Sequence, residues 1–186
     1  EGAVALLERA VALAPDDAAS HNALGLCLHR LERYAEALAQ FDRALETAPS
    51  FAGAHSARGA ALEAIGRLTE AETAFRQAIV LQPDNLGALS GLANLMSRRG
   101  DHAQARTMAM QVLEAQPGFP DAVHAMASAD LAEGAAPAAE ARLRALIADP
   151  RLTAQQLALA NGLLGDTLDA QDRAPEAFTA YAACNT

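Results

Sequence analysis

Histidine, cysteine and acidic side chains are the residues of this chain that could hold a metal ion or carry out catalysis. The five histidines include His21 and His29, which lie on either side of Cys27. Ligands on one face of a helix stand three or four residues apart, whereas these neighbours are six and two residues apart. We therefore predict packing histidines and small core cysteines here, and no metal site.

Other familiar catalytic patterns are missing from the sequence. It contains no nucleophile elbow, phosphate loop, dinucleotide glycine fingerprint or zinc-protease motif. All 14 basic residues are arginine, which excludes Schiff-base chemistry and a lysine general base. We predict that this segment is not an enzyme, with no catalytic residue, no cofactor and no metal.

Composition narrows the choice of partner and compartment. The formal net charge of −9 argues against binding to nucleic acid or to an anionic membrane. No apolar run approaches the roughly 18 residues that span a bilayer. The two cysteines suit a reducing compartment, so we expect a cytoplasmic location.

Abundant alanine and arginine without lysine fit a GC-rich bacterial genome, and the chain starts at Glu1 as if cut from something longer.

Several residue types recur at a fixed spacing along the chain. Prolines return every 34 residues: Pro15, Pro49, Pro83 and Pro117. One alanine series keeps this period and then takes a last step of 38 residues: Ala37, Ala71, Ala105, Ala139 and Ala177. The longer step indicates a four-residue insertion near Asp149 to Thr153. A period of this length is typical of stacked helix pairs.

A single unit shows why each repeat should be a helix hairpin. Apolar residues at helical spacing form one face of a first helix: Leu24, Leu28 and Leu31. A short turn follows, and a second helix presents its own inner face: Ala37, Phe41 and Ala44. Glycines stand where later turns need a left-handed residue: Gly66, Gly100 and Gly134. Thr153 and Gln156 predict a capping box at the start of the last pair.

This hairpin with its fixed positions resembles the tetratricopeptide repeat family over nearly the whole chain. The resemblance implies an all-α fold, an α-solenoid of antiparallel helix pairs in a right-handed superhelix with about eleven helices. We predict a single array with these parts: the second helix of a truncated repeat at 1–15, then repeats at 18–51, 52–85, 86–119, 120–153 and 154–186. On the truncated helix we expect Ala3, Leu7 and Ala10 to face inward.

The resemblance also implies a binding surface. In such arrays the first helix of each pair lines a concave groove, and its second, fifth, ninth and twelfth residues are the ones that matter for binding there. Carried over by position, the expected groove residues are Asn22, His29, Ser56, Ser90, Asn94, His124, Ser128 and Asp166. Small polar groups of this kind can bind a peptide backbone or leave room for a helix. The family's lysine- and arginine-based carboxylate clamp and its asparagine ladder are not reproduced here.

These observations predict a non-catalytic scaffold that binds a peptide or protein segment in the groove. An alternative is an amino-terminal adaptor arm of a larger enzyme, because residues 168–185 resemble, more weakly, the repeat before a sulfotransferase domain in some bacterial proteins. A third expectation is self-association through apolar faces at the two ends, with Val4, Leu7 and Val11 at one end and Phe178 and Tyr181 at the other.

Asp130 is the least expected residue of the repeat. It stands where other units place Leu28, Leu62 and Met96 on the packing face. A buried lone carboxylate is costly, so we favour a small rotation of the helix that puts Leu131 in the core instead. The alternative is an ion pair with Arg106 or Arg142.

Overall fold

A computed structural model describes residues 2–184, and this part of the chain is entirely helical apart from its turns. Its eleven helices, numbered in chain order, are α1 Gly2–Leu13, α2 Ala18–Arg30, α3 Tyr34–Thr47, α4 Ala52–Ala64, α5 Leu68–Leu81, α6 Leu86–Arg98, α7 His102–Ala115, α8 Pro120–Ala132, α9 Ala136–Ile147, α10 Ala154–Asp169 and α11 Ala174–Ala183. The predicted all-α class and helix number are confirmed. Glu1, Asn185 and Thr186, at the ends of the predicted array, lie outside the described residues.

Short turns join each first helix to its second. Gly66, Gly100 and Gly134 have φ values of 79°, 82° and 77° in these turns, as their positions predict. Glu32 and Asp172 take the same left-handed conformation at φ 58° and 59° without being glycine. Because this turn needs one residue with positive φ, the hairpin geometry is the same in each repeat while the residue type differs.

The chain forms two compact units, of which the first is Glu1–Gly91. Within it α2 packs against α1, α3 and α4, and α4 packs against α5. The inner faces of α3 and α5 supply its centre, with Phe41 and Phe75 at 0% and 1% exposure. The apolar positions that defined the repeat are therefore the ones that fill this core.

The second unit is Leu92–Thr186, of which the structure describes residues up to 184. Here α8 packs against α7, α9 and α10, and α10 also packs against α9 and α11. Leu143, Leu164 and Leu168 lie at the centre of its core. At the start of α10, Thr153 and Gln156 form the predicted capping box. None of the described helices is long and apolar enough to cross a bilayer.

Small residues in the first helices face large rings in the second helices. A Cβ atom added at Gly25 would stand 2.5 Å from the Phe41 ring, and one at Gly59 would stand 2.7 Å from the Phe75 ring. Where the first helix carries alanine, the partner is smaller, as with Ala127 and Leu143. The two positions therefore share one volume, and a larger residue on one helix requires a smaller one on the other.

Asp130 corrects the interpretation that we preferred from the sequence. Its side chain is buried, with the residue at 3% exposure, while Leu131 is only half-buried. Arg106 Nη2 lies 2.8 Å from Asp130 Oδ1, and Arg142 Nε donates to Asp130 Oδ2 at 2.8 Å. No helix rotation is needed, because two arginines from α7 and α9 neutralise the carboxylate where it stands.

The inner face of helix α1 differs from the expected one at a single position. Ala3 is exposed, Val4 is buried at 7% exposure, and Leu7 and Ala10 are half-buried. Val4 takes the inward place expected for Ala3, while Leu7 and Ala10 keep part of the inward orientation expected for them. The prediction that Val4 belongs to an exposed apolar end is therefore wrong, whereas Phe178 at 75% exposure is open to solvent.

Candidate functional site

The expected groove residues all lie on first helices, as their positions in the repeat require. Asn22 and His29 are on α2, Ser56 is on α4, and Asp166 is on α10. The remaining four are divided between α6 and α8: Ser90, Asn94, His124 and Ser128. The unit boundary after Gly91 places Asn94, His124, Ser128 and Asp166 in the second unit.

Three of these residues meet around one cavity in the second unit. Its volume is about 380 Å³. We call it the α6–α8 cavity and define it by its lining: Asn94, Ser97, Arg98, His102, His124, Ser128, Leu131, Ala132 and Leu163. Asn94, His124 and Ser128 therefore share a surface, whereas Asp166 does not belong to it.

Helix periodicity explains how the cavity forms. His124, Ser128 and Leu131 follow one another at four and three residues along α8, so their side chains share one face. Asn94, Ser97 and Arg98 show similar spacing along the last turns of α6. Leu163 on α10 adds an apolar wall from the following repeat. Residues of three successive first helices thus contribute to one recess.

Sequence reasoning missed His102 as part of this surface. It is the first residue of α7, directly after the turn in which Asp101 caps that helix. The groove pattern counts only first-helix positions, so a residue at the start of a second helix escapes it. Its proximity to the turn glycine Gly100, which folds α7 back beside α6, is the signal that could have indicated it.

The cavity holds polar atoms that lack partners inside the protein. Asn94 Oδ1 and His102 Nδ1 are buried and make no hydrogen bond. A buried polar atom without a partner costs about 1–3 kcal/mol, so a rearrangement that pairs it is favourable. Burial lowers the pKa of His124, because the charged imidazolium loses hydration. At neutral pH His124 is thus an uncharged ring that can both donate and accept a hydrogen bond.

Two expected groove residues of the first unit show the same feature. Asn22 Oδ1 and His29 Nε2 are buried and have no hydrogen-bond partner. They stand seven residues apart on α2 and so lie on one face. Burial lowers the pKa of His29, and a hydrogen bond with the backbone of Ala60 opposes that shift. The His29 and Tyr34 rings also pack edge to face, with a centroid distance of 5.2 Å.

The other expected residues are engaged elsewhere. Ser90 is 1% exposed and donates its hydroxyl to the Gly87 carbonyl at 3.1 Å, so it lies in the interior and not at an open surface. Ser56 is half-buried beside Gly87. Asp166 is exposed and accepts a hydrogen bond from the Tyr181 hydroxyl at 2.8 Å, which raises the pKa of Tyr181 to about 12.

Within residues 2–184, no three histidine, cysteine, aspartate or glutamate side chains come close enough to hold a metal ion. Cys27 and Cys184 are both free thiols. The chemistry that the α6–α8 cavity offers is therefore hydrogen bonding and apolar contact.

Helix hairpins repeated every 34 residues define a helical-repeat protein, a class that serves generally as a protein-interaction scaffold and is generally non-catalytic. Two sequence profiles described as Tetratricopeptide repeat match this chain, one over residues 1–50 and 30–86 and the other over residues 62–118. The chain belongs to the tetratricopeptide repeat family, as the sequence resemblance predicted.

Solved structures share this fold at low sequence identity. YrrB, described as a TPR protein with an unusual peptide-binding site, is 18% identical with a TM-score of 0.64, covering 96% of this chain and 90% of that one. TTC0263, a thermophilic TPR protein of Thermus thermophilus, is 21% identical with a TM-score of 0.73, covering 90% and 89%. A chain of the APC/C hetero-tetramer Cut9-Hcn1 is 15% identical with a TM-score of 0.84. That match covers 97% of this chain and 36% of the other chain. No curated protein matches this chain in sequence.

Proposed function

We propose that this chain binds a segment of a partner protein across its first helices, and that the α6–α8 cavity is part of the contact surface. The observation that carries the proposal is the meeting of Asn94, His124 and Ser128, from two successive first helices, around one recess. A scaffold that presents polar side chains from several repeats can bind an extended segment residue by residue.

Two further observations support this function. Buried polar atoms without partners occur on α2 and α6 at expected groove residues, where a bound segment could draw them into hydrogen bonds. One structural neighbour, YrrB, is described as having a peptide-binding site. Neither the adaptor role beside a sulfotransferase domain nor self-association has an observation that favours it, and both stay predictions.

A peptide library tests the proposal. The full chain is immobilised, a phage-displayed random peptide library is selected on it, and the selected peptides are measured by fluorescence polarisation. We expect the double variant Asn94→Ala/Ser128→Ala to weaken binding about tenfold, which corresponds to losing roughly 1.4 kcal/mol of contact energy.

The matched control changes an exposed residue of the same unit outside the cavity. Gln111→Ala on α7 meets this requirement and should bind like the unchanged chain. Failure of the library to yield any peptide above background would contradict the proposal. So would selected peptides that bind the double variant and the unchanged chain equally well.

A further inference from the structure

We propose that a second cavity of the second unit binds the indole ring of a tryptophan side chain that belongs to a partner protein. The cavity has a volume of about 440 Å³ and is lined by α9, α10 and α11. We call it the α9–α11 cavity and define it by six of its lining residues: Ile147, Asn161, Leu164, Leu168, Ala180 and Ala183. None of these residues lines the α6–α8 cavity, so this site goes beyond the proposed function.

The lining of the α9–α11 cavity is mainly apolar. Leu164 and Leu168 on α10 are its most buried leucines, at 6% and 1% exposure. Ile147 at the end of α9 contributes one wall, and Ala180 and Ala183 on α11 contribute the other. The alanine side chains end at Cβ and so leave the space beside α10 open. An aromatic ring can bury a large apolar surface against such walls.

The first repeat shows what fills the equivalent place elsewhere in this chain. Asn161 holds the repeat position of His21, and Ala180 holds that of Gln40, since each pair is 19 residues apart. His21 is 4% exposed, its Nδ1 lies 2.8 Å from Gln40 Oε1, and its Nε2 lies 2.9 Å from the Pro15 carbonyl oxygen. A flat ring that carries an N–H group therefore occupies this position in the first repeat.

The last repeat lacks this ring. Asparagine is smaller than histidine and alanine is smaller than glutamine, so the two replacements leave volume unfilled. Pro15, six residues before His21, lies in the connection before α2, whereas Gln155, six residues before Asn161, lies within α10. The carbonyl that meets the second ring nitrogen of His21 thus has no counterpart at the equivalent residue. An occupant of the α9–α11 cavity needs one N–H group rather than two ring nitrogens.

Asn161 supplies the acceptor for that N–H group. The residue is 7% exposed, and its Nδ2 donates to the Leu157 carbonyl at 2.9 Å. The other amide atom, Oδ1, accepts no hydrogen bond from the residues that the structure describes. An acceptor on a largely buried residue gains from a donor that enters the cavity. Thr179 on α11 already donates its hydroxyl to the Pro175 carbonyl at 3.0 Å, so it does not compete as a donor.

The charged side chains on the cavity wall neutralise one another. Arg144 on α9 and Glu176 on α11 line the cavity and lie 3.5 Å apart. Arg144 also pairs with Glu140 at 2.9 Å, and Glu176 pairs with Arg173 at 2.6 Å. A charged occupant would lose hydration here without gaining an unpaired partner, so the wall favours an uncharged one. Indole is uncharged, has a single N–H donor and presents a large apolar surface.

The source of the ring follows from composition. The chain contains no tryptophan, so a second copy of it cannot fill the cavity with an indole. The ring must then come from a different protein. Tryptophan is among the side chains that contribute most to binding energy when they enter a pocket of a partner.

Indole fluorescence tests the inference without background from the protein, because the chain has no tryptophan. The full chain is titrated into the acetylated, amidated peptide Gly-Gly-Trp-Gly-Gly, with excitation at a wavelength that tyrosine does not absorb. We expect saturable binding and a shift of the emission maximum to shorter wavelength, because the ring leaves water. The same peptide with benzothienylalanine, in which sulfur replaces the ring N–H, should compete about fivefold more weakly.

Variants locate the ring in the cavity. Asn161→Leu should weaken binding about fivefold and abolish the discrimination between the two peptides. Asn161→His/Ala180→Gln installs the pair of the first repeat and should abolish saturable binding, because the imidazole fills the space. Phe178→Ala is the control, since Phe178 is 75% exposed on another face of α11, and it should leave binding unchanged. A thermal melt shows that each variant is folded.

Several outcomes would overturn the indole site. These are the absence of saturable binding, equal competition by the two peptides, and binding that survives the double variant. Loss of binding in Phe178→Ala would show that the peptide stacks on an exposed ring instead. Binding of free L-tryptophan but not of the pentapeptide would overturn the partner protein as the source. Each of these results leaves the α6–α8 cavity unaffected, because the two cavities share no lining residue.

Discussion

Glu32 and Asp172 show how single residues bear the conformational demand of the hairpin. Both have a positive φ in a turn where three other repeats have glycine. A left-handed conformation costs a residue with a Cβ atom roughly 1–2 kcal/mol, whereas glycine adopts it without a steric penalty. The repeat pattern could predict the turn, but it could not predict that an acidic residue would accept this conformation.

We predict that Glu32→Gly stabilises the first unit. The strain energy relieved in the left-handed turn should exceed the entropic cost of ordering glycine on folding. The free energy of unfolding should therefore rise by about 0.5–1 kcal/mol. The measurement is the midpoint of chemical unfolding, followed by circular dichroism. Gly66→Ala is the matched control and should destabilise the unit, because it places a Cβ atom at a residue whose φ is 79°. Destabilisation by Glu32→Gly would show that its side chain supports the turn.

Asp130 is a second residue whose role depends on its contacts. The repeat pattern correctly placed it on a packing face, yet the sequence could not show that Arg106 and Arg142 both reach it. The reach of a long side chain across two helix crossings depends on distances that a one-dimensional pattern does not contain. The structure shows both contacts at 2.8 Å.

We predict that Asp130→Ala destabilises the second unit by about 2–3 kcal/mol. Removing the carboxylate leaves the two arginines without their shared partner, and both are partly exposed, which keeps the loss below that of a fully buried pair. Glu46→Gln, in an exposed pair with Arg43, should change stability by less than about 0.5 kcal/mol. Equal effects in urea unfolding would mean that burial of Asp130 contributes little.

Where the first and second helices of a pair cross, the side chains that meet have complementary sizes. Gly59 on α4 faces Phe75 on α5, and Ala127 on α8 occupies the position that pairs with Leu143 on α9. Phe75 also touches Gly91 on α6, so one ring fills space beside two first helices of the first unit. The size of a residue at this point of one helix thus limits the size of its partner.

We predict strong coupling between Gly59 and Phe75. Gly59→Ala alone should destabilise the first unit by about 1–3 kcal/mol, because the added methyl group overlaps a buried ring. In a chain that already carries Phe75→Leu the same change should cost less, since the alanine–leucine pair occurs naturally in the fourth full repeat. A double-mutant cycle in urea measures the difference. Additive effects of the two substitutions would contradict the shared-volume explanation.

Local sequence signals predicted helix ends and cores better than they predicted the orientation of an end helix. Thr153 and Gln156 formed their capping box because both partners belong to the same turn of the chain. Helix α1 instead has Val4 inward and Ala3 outward, because only its contact with α2 in the fold determines its rotation. His102 was missed for a similar reason, since the cavity depends on how α6, α7 and α8 pack.

At the scale of the whole molecule, a fall in pH protonates two sets of side chains. Burial lowers the pKa of His29 and His124 below the ordinary 6.5. Hydrogen bonds from arginines lower the pKa of Glu36, Glu70 and Glu176 below the ordinary 4.5. As the pH falls, the histidines become protonated first, and the carboxylates become protonated only in more acidic solution.

We predict that the chain loses stability in two stages as the pH falls from 8 to 3. Between pH 6.5 and the lower pKa values of His29 and His124 in the folded chain, the unfolded state binds more protons, so the free energy of unfolding decreases. Below pH 4.5 the paired glutamates become protonated more readily in the unfolded chain, and a further decrease follows. Thermal unfolding midpoints across this range measure both stages.

His124→Gln should reduce the first decrease and keep the second, whereas Ser128→Ala on the same face should keep both. A midpoint that stays constant from pH 7 to pH 5 would show that burial does not hold these two histidines neutral.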